Sequence, residues 1–126
     1  MPALLELDHV GLSYHTLSGE IQALSQISFS VQEGEFVSLV GPSGCGKSTV
    51  LNLIAGLLIP EQGQITMQGL PREHSVLSVG YMLQKDHLFD WRTVLQNVLL
   101  GVEIQKSLSP AIREKAIGFL MTYGLH

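Results

Sequence analysis

Polar and apolar residues alternate along the first third of the chain, a period-two pattern that is typical of strands with one buried face. The first run changes phase around Asp8-His9, which predicts a bulge or bend within that strand. Its apolar positions are Leu5, Leu7, Val10, Leu12 and Tyr14. Turn residues at 16–19 lead to a second strand, whose apolar positions are Ile27, Phe29 and Val31. A third, short strand is predicted over residues 64–68, where Gly69 ends it.

Two further apolar runs are continuous, and continuous runs of this length indicate strands that are buried on both faces. The first covers residues 36–40, and the second covers residues 79–83 and ends at Gln84. The first run leads into the glycine-rich segment GPSGCGKST, residues 41–49. Apolar residues then recur at helical spacing as far as Leu58, so a helix is expected after this segment. The order strand, glycine loop, helix is that of a phosphate-binding loop.

The glycine segment fits the pattern G-x-x-x-x-G-K-[ST] at every fixed position, and its chemistry follows from its residue types. The candidate ligand-binding residues are Gly41, Pro42, Ser43, Gly44, Cys45, Gly46, Lys47, Ser48 and Thr49. The glycines let the backbone curl so that successive N–H groups point into one anion-sized hollow at the start of the helix. Lys47 can then reach the outer phosphates, and the Ser48 hydroxyl can bind Mg²⁺. The alternative, a chance glycine-rich turn, is disfavoured by the strand and helix on either side.

The chain from Thr93 onward is helical in its apolar spacing. Thr93 and Gln96 form a candidate capping box in front of one amphipathic helix. Ser109 followed by Pro110 predicts the start of a second helix, and Gly124 is a plausible C-cap. The apolar stripe of the second helix is Ile112, Ala116, Phe119, Leu120 and Tyr123.

Composition excludes several classes of protein. The 126 residues carry a net charge of −4, and their seven lysines and arginines form no basic stripe, so nucleic acid is not an expected partner. The first residues lack the features of a secretory signal, and the apolar stretch at 53–59 is too short to span a bilayer. A single cysteine, Cys45, cannot form an internal disulfide. A protein that stays in the cytoplasm is therefore expected.

The histidines show no spacing that would place two of them on one helix face as metal ligands. They are His9, His15, His74, His87 and His126. Solvated or locally hydrogen-bonded side chains are expected at these positions.

Four features together resemble the ATP-binding subunit of an ABC transporter, over essentially the whole chain. They are Tyr14 before the loop, GPSGCGKST, the run from Gly80 to Gln84, and the stretch from Trp91 to Val98. The resemblance is greatest to the ATPases of nitrate, sulfonate and taurine importers. It implies an α/β fold of the P-loop NTPase class and the ABC ATPase type, incomplete because later core strands are missing. The implied regions are a β-rich nucleotide-binding part (1–84), a Q-loop region (85–92) and the start of a helical subdomain (93–126).

The resemblance assigns roles to two residues outside the loop. Tyr14 would stack on the adenine ring of ATP; the residues alone fit a strand-end aromatic that covers the sheet equally well. Gln84 would be the Q-loop glutamine that approaches Mg²⁺ and the attacking water; alone, it reads as an ordinary strand-end amide. ATP and Mg²⁺ are the implied cofactors.

The resemblance also implies partners. Residues 85–91 would dock on a transmembrane permease subunit, and aromatic residues beside Asp90 and Arg92 suit such a surface. The alternative is that Trp91 merely packs under the helix that starts at Thr93. The complete protein would pair with a second ATPase subunit at the cytoplasmic face of the membrane and serve a solute-binding protein indirectly.

Several elements that hydrolysis requires in this family are absent from these 126 residues. No apolar strand after Gln84 ends in the acidic pair that organises Mg²⁺ and water. Leu-Ser-Gly-Glu at 17–20 is in a turn between strands and does not qualify as the family signature, and no histidine can be assigned as the switch residue. The expected function is ATP binding for transport in the complete protein; the alternatives are a nucleotide-binding module without hydrolysis and an inert remnant. Unpaired strands at 36–40 and 79–83 predict marginal stability for the chain alone.

Overall fold

The structure, a computed structural model, describes residues 2–75 and 78–125. It consists of two compact units, Met1–Tyr81 and Met82–His126. The division falls after Tyr81, whereas the sequence-based division into regions falls after Gln84.

The first unit contains a four-stranded antiparallel sheet in the order β2-β1-β3-β4. The strands are β1 (Leu5–Thr16), β2 (Gly19–Val31), β3 (Gln62–Met67) and β4 (Leu70–Pro71). The turn at 16–19 and the strands β1, β2 and β3 confirm the turn and the three strands predicted from the first part of the sequence. A short 3₁₀ turn, Arg72–His74, follows β4.

The predicted bulge in β1 is confirmed at Asp8-His9. The register of β1 shifts against β2 between Leu7 and Val10, and His9 has a left-handed φ of 48°. Gly63 of β3 lies against this bulge, where a Cβ would collide with the backbone of Asp8 and His9. The phase change brings both halves of the strand into one core, which comprises Leu5, Leu7, Val10, Leu12, Leu24, Val50, Leu53, Ile65 and Met67.

The helix after the glycine loop, α1 (Lys47–Ile54), places Val50 and Leu53 in that core. The expectation that the helical pattern continues to Leu58 is wrong. Gly56, with a φ of 80°, ends the helix through two backbone bonds, Gly56 N–H to Leu53 and Leu57 N–H to Asn52. The spacing of apolar residues alone does not predict where this helix ends.

Arg72 closes the carboxyl end of α1. Its guanidinium donates to the carbonyl oxygens of Ile54 (2.7 Å) and Ala55 (3.0 Å). These carbonyls belong to the helix end that has no internal donors, and a cation there also complements the helix dipole.

The two continuous apolar runs form no strands, so this part of the prediction is wrong for the described chain. Residues 36–40 have no regular secondary structure, and Phe36 and Val40 are 95% and 93% exposed. Residues 78–83 are likewise irregular. Tyr81 is nevertheless fixed to α1, since its hydroxyl donates to Asn52 Oδ1 at 2.6 Å. A strand buried on both faces needs hydrogen-bonded neighbours, and the described residues supply none for either run.

The second unit contains two helices, α2 (Val94–Ile104) and α3 (Pro110–Thr122). The capping box at Thr93 and Gln96 is confirmed, as is the Ser109-Pro110 start of α3. Gly124 follows the last turn of α3 with a φ of 72° and confirms the predicted C-terminal signal. The apolar stripes are mostly uncovered: Leu99 and Ala116 are buried, whereas Phe119 is 52% exposed.

Candidate nucleotide-binding site

The glycine loop joins the irregular segment at 36–40 to α1. Gly44 and Gly46 have φ values of 80° and 99°, and residues that carry a Cβ rarely adopt such backbone angles. No side chain in the described part of the chain caps α1, and the first backbone bond of this helix runs from Val50 N–H to Gly46 oxygen at 3.0 Å. The N–H groups of the three preceding residues therefore lie at the positive end of the helix without a helical acceptor. This arrangement suits an anion.

Gly46 also fixes the loop against the sheet. A Cβ at this position would lie 2.7 Å from Leu24 Cδ2 and 2.9 Å from the carbonyl oxygen of Ala23. Leu24 is buried in the core, so there is little room for it to move. The loop and β2 are thus in contact at a point that only glycine fits.

Lys47 turns back over the loop that precedes it. Its ammonium donates to the carbonyl oxygens of Gly41 (2.5 Å) and Pro42 (2.8 Å) and lies 3.4 Å from Cys45 Sγ. Gly41 permits this close folding, since a Cβ there would come within 2.7 Å of that sulfur. The ammonium thus lies against the first two residues of the loop.

Tyr14 approaches the same helix from the end of β1. Its hydroxyl lies 3.4 Å from the hydroxyl of Thr49, which is buried, while the Tyr14 side chain is 43% exposed. The structure therefore brings Tyr14 and the loop together, although they are far apart in sequence. Part of the aromatic side chain remains accessible to a ligand.

The remaining loop residues are accessible to solvent. Pro42, Ser43, Cys45 and Ser48 are exposed, as are the first two glycines. Ser48 is therefore accessible to a ligand from solvent.

Gln84 belongs to the second unit and is exposed. Its contact with Mg²⁺ and water stays a prediction. Further along this segment, the rings of Phe89 and Trp91 lie 4.7 Å apart, and Trp91 is 78% exposed. The alternative in which Trp91 is buried beneath α2 does not fit this exposure.

The segment before α2 is held by polar contacts. Asn97 accepts from the backbone N–H of Phe89 (2.9 Å) and donates to its carbonyl oxygen (3.1 Å). Arg92 pairs with Glu103 at 2.9 Å. These bonds fix the segment that carries the two aromatic rings to the first helix of its own unit.

His9 is locally bonded, as expected, since it contacts Asp8 at 2.6 Å. His15 instead contacts Glu61, 46 positions away, at 2.9 Å. His15, Glu20 and Glu61 have ligand atoms within 4.8 Å of one another, but all three are exposed. His126 lies outside the described residues.

Sequence reasoning did not single out Glu61, Arg72 or Asn52. Glu61 and Arg72 contact residues that are between 17 and 48 positions away. A carboxylate or guanidinium in a polar loop carries no local signal of such a partner. Only pairwise information about distant positions would have indicated them.

A family model described as ABC transporter matches residues 24–125, which is most of the chain. The chain belongs to the ABC transporter family. This confirms the resemblance drawn from the loop, Tyr14 and the segment around Gln84.

Individual ABC relatives match at substantial identity. The chain is 39% identical over 123 residues to an uncharacterized ABC transporter ATP-binding protein of Bacillus subtilis, covering 98% of this chain and 47% of the relative. It is 37% identical over 123 residues to a taurine import ATP-binding protein of Rhizobium johnstonii, covering 97% and 47%. The chain thus spans about half the length of these relatives.

A solved ABC structure confirms the fold class. The dimeric post-hydrolysis state of an ATP-binding cassette, bound to ADP and Pi, superposes with a TM-score of 0.80 at 30% identity. The match covers 93% of this chain and 56% of that one. The described residues are therefore part of an ABC ATPase fold.

Among the described residues, neither α2 nor any other helix combines the length and the apolar character needed to cross a membrane.

Proposed function

We propose that the polypeptide containing this chain is the ATP-binding, energy-coupling subunit of an ABC transporter, in which ATP hydrolysis drives solute transport. The observation that carries this proposal is the uncapped start of α1 behind the glycine loop, with Lys47 folded over it. Membership of the ABC transporter family supports the same function.

The chemistry of the loop fits a triphosphate. Backbone N–H groups at the positive end of α1 would hold phosphate oxygens, and Lys47 would exchange its bonds to the loop carbonyls for bonds to the outer phosphates. Tyr14 would stack on the adenine ring, since part of its side chain is accessible beside Thr49. The triphosphate would thus be bound by the loop and the base by the end of β1.

Mg²⁺ would be held by the Ser48 hydroxyl, with Gln84 as a further contact. The ion neutralises charge on the outer phosphates when it is bound. Ser48 is exposed at the start of α1, so its oxygen is accessible for this purpose. The acidic pair that would complete hydrolysis is not present in the 126 residues, and we assign it to the remainder of the complete protein.

The partners follow from the exposed residues and from the relatives. The segment at 85–91 would dock on a permease subunit through Phe89 and Trp91, which are exposed. A second ATPase subunit would complete the protein at the cytoplasmic face of the membrane, and a solute-binding protein would act indirectly. Relatives named for taurine import and nitrate transport support an importer of small solutes of this kind.

A second candidate is a nucleotide-binding module without hydrolytic activity. It is favoured by the lack of an acidic pair after Gln84 within these residues. ATP binding and phosphate release, measured on the complete polypeptide and on the 126-residue chain, separate the two. We expect the complete polypeptide to bind and hydrolyse ATP, and the 126-residue chain to bind it without hydrolysis. Hydrolysis by the 126-residue chain would contradict the assignment of the carboxylates, and no hydrolysis by either would favour the second candidate.

A further inference from the structure

The end of β1 that carries Tyr14 extends beyond the strand that supports it. On one side β1 pairs with β3 only as far as Gly11, opposite Gln62. Among the described residues, β2 is therefore the only strand neighbour of residues 12–16 in the sheet. A two-stranded hairpin of this kind is marginally stable by itself, so an additional support would matter.

Glu61 supplies that support from the residue just before β3. Its backbone N–H donates to the carbonyl oxygen of Gly11 at 3.0 Å, so its own position is fixed. Its carboxylate accepts from Ser13 N–H at 3.1 Å and contacts His15 Nε2 at 2.9 Å. One side chain thus holds both residues that flank Tyr14.

The alternation of side chains along β1 places Tyr14 on one face of the strand and its two neighbours on the other. Ser13 and His15 flank Tyr14 in the same extended strand, so their side chains lie on the face opposite to it. The hydroxyl of Tyr14 reaches Thr49 of α1 at 3.4 Å. Glu61 therefore holds the strand at Ser13 N–H and at the His15 side chain, while Tyr14 faces the glycine loop.

We propose that Glu61 is a positioning residue for nucleobase recognition, holding the end of β1 so that Tyr14 is presented to the adenine ring. This inference rests on the proposed function, since it requires Tyr14 to stack on a base. The bond from Ser13 N–H to a carboxylate is the charge-assisted kind and is the main contact. The His15 pair is exposed and contributes less.

The test measures the affinity of the complete polypeptide for ATP and for inorganic tripolyphosphate, which lacks a base. Tyr14→Ala is the benchmark: losing one base–aromatic stack weakens ATP binding by about 5- to 160-fold. We expect Glu61→Ala to weaken ATP binding by about 3- to 10-fold and to leave tripolyphosphate affinity within about twofold. Glu61→Gln should keep most of the affinity, because its amide oxygen can still accept from Ser13 N–H. Glu6→Ala, which removes an exposed carboxylate from the other end of β1, is the matched control.

If Glu61 acts through Tyr14, the effects of substituting the two residues should not add. In a Tyr14→Ala background, Glu61→Ala should cause no additional loss of ATP affinity. Unchanged ATP affinity in Glu61→Ala, or an equal loss for ATP and tripolyphosphate, would overturn the proposal. If Tyr14→Ala has no effect, the positioning role is overturned while phosphate binding by the loop stands. If Lys47→Ala leaves ATP binding intact, the proposed function itself fails.

Discussion

Replacing Gly46 with alanine should separate the glycine loop from the sheet. Gly46 has a φ of 99°, and a Cβ there would lie 2.9 Å from the carbonyl oxygen of Ala23 and 2.7 Å from Leu24 Cδ2. The backbone carbonyl cannot rotate away, and the leucine is buried. The start of α1 must therefore shift to accommodate a methyl group.

Gly44 provides the matched comparison within the same loop. Its φ is 80°, and, apart from its two chain neighbours, no heavy atom of the described residues lies within 4 Å of a Cβ at that position. Both substitutions carry the conformational cost of a left-handed alanine, about 1–2 kcal/mol, offset by about 0.4–1 kcal/mol from the unfolded chain. Only Gly46→Ala adds crowding, which costs about 1–3 kcal/mol. The difference in the free energy of unfolding between the two variants should be of that size.

Urea denaturation of the complete polypeptide without nucleotide, followed by circular dichroism, measures this difference. ATP affinity should fall more in Gly46→Ala than in Gly44→Ala, because only the former displaces the N–H groups at the start of α1. Equal free energies of unfolding, within about 0.5 kcal/mol, together with equal ATP affinities would refute the packing argument.

Two further predictions concern other left-handed positions. In urea denaturation, Gly63→Ala should destabilise the first unit by about 1–3 kcal/mol more than Gly69→Ala. The two glycines have similar φ values (73° and 77°), but only Gly63 lies against the bulge backbone. Equal losses of stability would contradict the account of the bulge. Lys106→Gly should stabilise the second unit by about 0.5–1 kcal/mol. Lys106 lies just beyond the end of α2 with a φ of 55°, at a position that glycine favours. A lower melting temperature for this variant would contradict the prediction.

The alternating strands and the capped helices could be predicted because their signals are local. The phase change at Asp8-His9 requires a bulge if both halves of β1 are to face one core, and the structure has that bulge. Thr93 and Gln96 hydrogen-bond to each other's backbone N–H at the start of α2, and the Ser109 hydroxyl accepts from Ile112 N–H at the start of α3, so each set of bonds lies within four residues. Such elements need no information from distant residues.

The strand predicted at 36–40 is wrong because strand formation there requires contacts with distant residues. Its strand conformation depends on neighbouring strands, and the described residues contain none for it. The supports of the site were missed as well, because Glu61 reaches Ser13 and His15 over more than 40 positions. The loop itself was identifiable because Gly44, Gly46 and Lys47 act within one short motif.

The most direct test of ATP binding is the ATP affinity of the complete polypeptide with and without the Lys47 ammonium. The Lys47 ammonium donates to the loop carbonyls of Gly41 and Pro42. Lys47→Ala should weaken ATP binding by about 10-fold or more, because it removes a charge-assisted contact to the outer phosphates. Lys115→Ala, which removes a lysine in α3, should leave affinity unchanged. Equal ATP affinity in the Lys47→Ala variant and the unmodified protein would contradict the assignment of this loop as the nucleotide site.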